Sequence, residues 1–348
     1  MKPYTFGMTT FLESGIDKKS GMTSHDIRIN QAIEEIVLAD QVGLDYYGIG
    51  EHHRYDYAAS SPEIILSAAS KLTKNIHLGS AVTILSSSDP IKIYQNFATL
   101  DILSNGRAEI MAGRGSFIES FPLFGYKLED YNTLFTEKLD LLLNIRKNTF
   151  VNWPGGKHTH SLNNNPIYPR AINNPLKVSI AVGGTPASIE RAARLGLPIV
   201  FAVIGGDPLR FKPLVDLYKR VYINNGHDPL KIEIGIHSHG MITDTNSDEL
   251  IEKYFIPHYA SFSQIGKERG WPNYTKERYL DEIEYGSLYV GDVNFVYKKI
   301  LKTIKGLGIN RFLLHIPGSY MPHPDVLKTI SLYGKKIIPK LKESLSTK

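Results

Sequence analysis

The 348-residue chain contains no cysteine. That excludes disulfides, thiolate metal sites and a cysteine nucleophile, and it leaves the redox compartment open. No stretch approaches the roughly 20 continuous apolar residues that a membrane helix needs. The N-terminal MKPYTFGMTTF lacks the apolar core of a secretory signal and reads as a strand. The expectation is a cytoplasmic protein that does not span a membrane. Charge of one sign is scarce too: 40 Lys and Arg stand against 35 Asp and Glu, a net +5. The basic residues are dispersed, and the compact run KKIIPKLK near the C-terminus reads as a solvated helix face. No basic stripe is interleaved with aromatics, so nothing argues for a nucleic-acid partner. Internal repeats, low-complexity tracts and linkers are missing as well, and residues 1–348 read as one domain.

What is present is an alternation. Short β-rich runs at Tyr4–Thr10, Asp45–Gly50, Ile76–Thr83, Ala108–Arg114, Lys177–Gly183, Ile199–Ile204, Ile232–Thr243 and Arg311–Ile316 are separated by helical patterns. Ser61-Pro62-Glu63 and Asp89-Pro90 open two of those helices with a polar cap and proline at the first helical position. Phe150–Arg170, rich in Asn, Gly, Pro and His, breaks the rhythm as an inserted loop or hairpin. Ser247–Arg269 is a helix, Gly270–Gly291 reads as irregular, and a final helix spans Pro324–Leu345. Eight strands followed by helices make a (β/α)8 TIM barrel, with insertions after strands 4 and 7. A doubly wound sheet fits less well, because the first turn, TTFLESGIDKKSG, has no GxGxxG.

Barrel chemistry sits where strands end. Strand 2 ends in EHH, Glu51–His53, ahead of a well-capped helix. Strand 4 ends in GRG, Gly113–Gly115, where glycines let a guanidinium and backbone approach an anion. The alternative there is an arginine paired with a carboxylate. Strand 5 ends in VGGTPAS, Val182–Ser188, where free backbone N–H groups meet the positive end of a helix. The alternative is an ordinary tight turn. Together, GRG and GGT suggest one phosphate held from two sides. HSH at His237–His239 puts two imidazoles on one strand face, and with His52 and His53 it raises a metal-dependent hydrolase. Only Glu51 and Asp244 offer further ligands nearby.

The elements EHH, LGSAVTILSSSDP, LDILSNGRAEIMAGRG, the FGY loop, AVGGTPASIERAARLGLPIV and YINNGHD, in this order, resemble the bacterial luciferase-like family of flavin-dependent monooxygenases. The similarity is densest from Gly43 to Asp228 and thins after Ser247. It implies a (β/α)8 barrel that uses reduced FMN, supplied by a separate flavin reductase, and O2. Such a protein oxygenates a small organic substrate through a C4a-hydroperoxyflavin in a largely apolar pocket. By the same resemblance, Ala81 and Val82 are the site of a non-prolyl cis peptide beneath the flavin ring. Arg114, Gly183, Gly184 and Thr185 bind the phosphate. His52 is the catalytic proton-transfer group, with Glu51 and His53 orienting it or its loop. No metal is implied, and a homodimer through Ser61–Leu72 and Ile91–Leu103 is. The chain departs from luciferase at Gly113, where luciferase has a reactive cysteine, and near Asn132, where luciferase has a second phosphate arginine. Light emission is not expected. Three other readings remain beside this one: an oxidoreductase using the deazaflavin F420, a non-catalytic flavin-binding protein, and the metal-dependent hydrolase.

Overall fold

The computed structural model describes residues 3–14, 23–115, 117–270, 273–316 and 321–346. Ser116, Gly318 and much of the first turn, which the sequence placed at strand ends, lie outside them. Eight parallel strands follow one another around a ring: β1 (Thr5–Thr10), β2 (Tyr46–Ile49), β3 (His77–Ser80), β4 (Ala108–Gly113), β5 (Lys177–Val182), β6 (Ile199–Ala202), β7 (Ile234–Thr243) and β8 (Arg311–His315). β8 pairs back onto β1, with Thr5 opposite Arg311 and Thr9 opposite His315, which closes the barrel. Each strand is buried on both faces, which is why the strands read as nearly continuous apolar runs.

The helices outside are α1 (His25–Gln41), α2 (Pro62–Ser70), α3 (Pro90–Leu103), α4 (Tyr131–Lys147), α5 (Pro186–Arg194), α6 (Lys212–Asn224), α7 (Ser247–Arg269), α8 (Lys276–Glu284), α9 (Val293–Leu307), α10 (His323–Leu332) and α11 (Ile338–Ser346). Asp89 caps α3 by accepting from the N–H groups of Ile91 and Lys92. Ser61 precedes α2 with Pro62 at its first position, but its hydroxyl makes no capping bond. The insertion after β4 includes an antiparallel hairpin, Phe150–Trp153 with Leu162–Pro166.

One sequence expectation is corrected. Gly270–Gly291 contains α8 and a strand, Tyr289–Asp292, which pairs in parallel with Gly240–Thr243 at the outer end of β7. Two buried residues of α8, Tyr279 and Ile283, sit among seven mostly charged ones, and a four-residue strand is too short to show alternation. The last helix runs without a break from His323 to Ser346, with a wide π turn at Tyr333–Ile337 between α10 and α11. There Gly334 lies so close to Val42 that a Cβ would sit 2.4 Å from a Val42 methyl.

Inside the barrel, Tyr46 and Arg311 occupy space that branched aliphatics usually fill in this fold. The Tyr46 ring fits because β2 and β3 offer Gly48 and Gly79, whose added Cβ atoms would stand 2.8 and 2.7 Å from it. Its hydroxyl donates to the Ser80 carbonyl (2.8 Å), and the Arg311 guanidinium lies over the ring at 4.2 Å. Arg311 Nη1 donates to Glu109 (2.6 Å) and Glu233 (3.1 Å), while Lys177 Nζ reaches Glu233 (2.6 Å) and Glu109 (3.1 Å). Burial alone would raise the Glu109 carboxyl. The Arg311 and Lys177 charges outweigh it and hold the group far below the usual carboxylate range. Removing one member of a buried ion cluster costs about 3–5 kcal/mol, because the others stay buried without compensation. Glu109→Ala is therefore expected to lower the urea midpoint by that equivalent. A double change to Glu109→Leu with Arg311→Met should recover much of it, and an unchanged midpoint in the single variant would refute the role.

Candidate active site

Arg114 follows β4 directly. Its Nη1 donates to Asn132 Oδ1 (2.7 Å), its Nη2 to Ser188 Oγ (3.3 Å), and its guanidinium lies 5.0 Å from the centre of the Tyr131 ring. All these partners are neutral, and among the described residues no carboxylate pairs with Arg114. Of the two readings of GRG, the arginine–carboxylate pair is therefore not the one seen. Thr185 precedes α5, and its Oγ1 donates to Ser188 Oγ (2.9 Å). Gly183 and Thr185 are exposed, and a Cβ on Gly183 would meet nothing within 4 Å. Gly184 has φ +106, a backbone conformation that favours glycine. Through Ser188 the structure brings Arg114 beside Thr185 and the turn at Gly183–Gly184, where α5 presents the positive end of its dipole.

The peptide between Ala81 and Val82 is cis. It leads from β3 into a short strand, Thr83–Ile84, that pairs with β4. Val82 fills the space in front of Gly113: a Cβ there would lie 2.6 Å from a Val82 methyl. The glycine where luciferase carries cysteine is thus a packing requirement of Val82.

His52 is buried beside Phe11, Tyr57 and Phe117, with ring centroids 5.0, 4.4 and 5.1 Å away. Its backbone N–H donates to Ala59 (2.9 Å), but its Nδ1 has no hydrogen-bond partner. The nearest charge is Glu119 Oε1, at 3.8 Å. Burial tends to raise the Glu119 carboxyl, yet contact with His52 and with backbone N–H groups leaves it below its usual range. The neighbouring histidine is engaged otherwise: His53 Nε2 donates to Glu51 Oε1 (2.7 Å), and Glu51 Oε2 accepts from the Ile84 N–H (2.8 Å). Glu51 and His53 therefore tie the EHH loop to the segment after β3, while His52 Nδ1 is left facing Glu119 without a hydrogen bond.

The adjoining wall of the mouth, on the side away from Arg114, is built by β1, β7 and β8. His237, His239 and His315 point inward, with His315 centred 4.9 and 4.5 Å from the other two. Phe11 packs against His237 (5.7 Å) and His315 (4.2 Å). Burial, and then the His315 neighbour, push His237 and His239 well below the usual imidazole range, so both are neutral at pH 7. His315 Nδ1 is 3.1 Å from Thr9 Oγ1, and its Nε2 faces the buried Glu13 at 3.6 Å. Both Glu13 oxygens, His237 Nε2 and His315 Nε2 are buried without hydrogen-bond partners. His239, His258, Phe262 and Tyr274 help line a cavity of about 10 Å³ behind this wall, room for about one water. This wall is thus aromatic and imidazole-lined, with unsatisfied polar atoms in it. Among the described residues no three His, Asp or Glu side chains converge as ligands of one ion.

Glu13 and Glu119 were not singled out from the sequence, Asn132 only as a departure from luciferase, and Ser188 only as the end of VGGTPAS. Ser188 alone had a local signal, as the third residue after the Thr185 cap.

A closed parallel barrel carries at its mouth Arg114 with only neutral partners and the buried His52. Residues 5–308 match the luciferase-like monooxygenase family, and the chain belongs to it. It is 22% identical over 340 residues to an alkanal monooxygenase alpha chain of the Kryptophanaron alfredi symbiont, covering 88% of this chain and 90% of that one. In fold it is similar to the oxygenating constituent of 3,6-diketocamphane monooxygenase from the CAM plasmid of Pseudomonas putida, solved with FMN. That likeness has a TM-score of 0.74 and 19% identity, covering 97% and 99% of the two chains. It is also similar to an F420-dependent secondary alcohol dehydrogenase holding an F420–acetone adduct, with a TM-score of 0.76, 20% identity, and 98% and 99% covered. No described helix is long and apolar enough to cross a membrane.

The Val82–Gly113 contact yields a prediction. Overpacking costs about 1–3 kcal/mol when a stiff side chain must move. Gly113→Ala is expected to lower the thermal midpoint, and adding Val82→Ala should restore most of the loss. Equal midpoints for wild type and Gly113→Ala would show that the space is not limiting.

Proposed function

We propose that the protein is a flavin-dependent monooxygenase that takes reduced FMN and O2 and oxygenates a small organic substrate. The observation that carries this reading is Arg114, a cation with only neutral partners, in an open cleft at the start of α5. Such a group fits a terminal phosphate. FMN, when bound, supplies reduction of O2 and transfer of one oxygen atom. The chain supplies the rest. Arg114, Ser188 and the turn at Gly183–Thr185 hold the phosphate. Ala81, Val82 and Gly113 form a close-packed floor below the mouth. The wall of neutral imidazoles and aromatic rings excludes water without adding charge. His52 gives or takes a proton at Nδ1, the atom left unpartnered, with Glu119 facing it. In this reading a separate reductase delivers reduced FMN, and the protein works in the cytoplasm.

The test is titration with FMN and riboflavin. Charge-assisted hydrogen bonds contribute about 1.5–3 kcal/mol, so Arg114→Ala should weaken FMN at least about tenfold and leave riboflavin nearly unchanged. Equal loss for both would place Arg114 elsewhere, and tight F420 binding without FMN binding would favour hydride transfer. His52→Ala should keep FMN affinity within a few-fold while slowing oxygenation of an identified substrate by about a hundredfold or more.

A homodimer through α2 and α3 belongs to the same proposal. Ile64 of α2 and Leu72 in the turn after it are 68% and 62% exposed, and Ile102 and Leu103 of α3 are exposed apolar residues too. Sedimentation at micromolar concentration should give a dimer, and Ile64→Glu with Leu72→Glu should give monomers. A wild-type monomer there would end this part of the proposal.

A further inference from the structure

A second arginine, Arg191, stands near Arg114 between α4 and α5. Arg114 lies over Tyr131 and donates to Asn132, the next residue of α4. One turn further along α4 the arrangement repeats: Arg191 lies over Phe135 at 4.9 Å, and its Nη1 donates to Thr136 (2.9 Å). Tyr131 and Phe135, and likewise Asn132 and Thr136, are four residues apart and share a helix face. Arg191 also stands three residues after Ser188 on α5, on the face that carries the Ser188 contact to Arg114. The two arginines therefore occupy matching clamps about one helical turn, some 5–6 Å, apart.

Holding two like charges this close in a half-buried cleft is unfavourable without an anion. Burial, and then the Arg114 charge, depress the basicity of Arg191, and attraction to Asp140 opposes this. No ion pair with Asp140 or any other described carboxylate closes on Arg191. The opposing positions on α4, Asn132 and Thr136, are neutral.

We propose that Arg191 is the second cationic ligand of the terminal phosphate monoester of FMN, paired with Arg114 across the cleft between α4 and α5. This rests on the FMN reading above and extends it. A phosphate monoester carries close to two negative charges at neutral pH. Two guanidiniums, each fixed over an aromatic ring, match that charge and offer it forked donors from two sides. The neutral Asn132 holds Arg114 in place instead of binding the anion itself.

The experiment measures FMN and riboflavin dissociation constants for wild type, Arg191→Gln and Arg191→Lys, with the thermal midpoint of each. Arg191→Gln should weaken FMN about ten- to a hundredfold while riboflavin stays within about twofold. Arg191→Lys should recover part of the loss, since it keeps the charge but not the fork. Inorganic phosphate should compete with FMN on wild type and lose potency on Arg191→Gln. Retained riboflavin binding reports that the variant is folded. If wild type binds FMN tightly and Arg191→Gln binds it equally well, or loses FMN and riboflavin together, Arg191 is a structural residue and the inference is overturned. A wild type that binds riboflavin as well as FMN, with no competition by phosphate, overturns the phosphate reading itself.

Discussion

The buried charge cluster of Arg311, Glu109, Glu233 and Lys177 is the constraint on which the barrel depends. It joins β4, β5 and β8 with the residue leading into β7, and its four charges meet only when those segments lie in one register. A slip of one residue in any strand would turn its charge outward and strand the others in the core. Buried ion pairs are weak evidence of stability but strong instruments of register, and here the register is that of a closed ring.

That register sets the functional end. Arg311 and His315 lie on the same inward face of β8, and Glu109 and Gly113 on that of β4. Four residues at about 3.3 Å each put the mouth about 13 Å above the ion cluster. Tyr46 bridges the levels: it stacks under Arg311 and bonds to the Ser80 carbonyl, next to Ala81. The position of the peptide at Ala81–Val82 is thus a consequence of packing that starts among charges at the other end.

Much of this was legible in the sequence. Each of the eight strands had its β-rich run, and both insertions showed as breaks in the alternation. EHH, GRG and GGT fell at strand ends because a rigid scaffold displays its loops there. What was illegible depends on residues distant in sequence. Glu119 matters because His52 faces it, and nothing around GSFIESF announces that partner. Arg191 reads as one more charge on an amphipathic helix until α4 sets an aromatic ring beneath it. α8 hid because its buried face has only two residues, and the strand after it is shorter than one alternation can reveal. The polar character of the mouth was hidden too, since a histidine in a strand looks the same whether it faces water or a ring.

In a ring of eight strands, β4 and β8 stand diametrically opposed. The cationic cleft belongs to the β4–β5 side, and the imidazole wall to the β7–β8–β1 side. Groups this far apart with no shared partners respond to change almost independently. On the proposed function, substitutions at Phe11, His237 or His315 would therefore redraw what the mouth admits without loosening the phosphate grip at Arg114. The architecture separates the handle from the tool, so a lineage can acquire new chemistry on one side while inheriting the other intact.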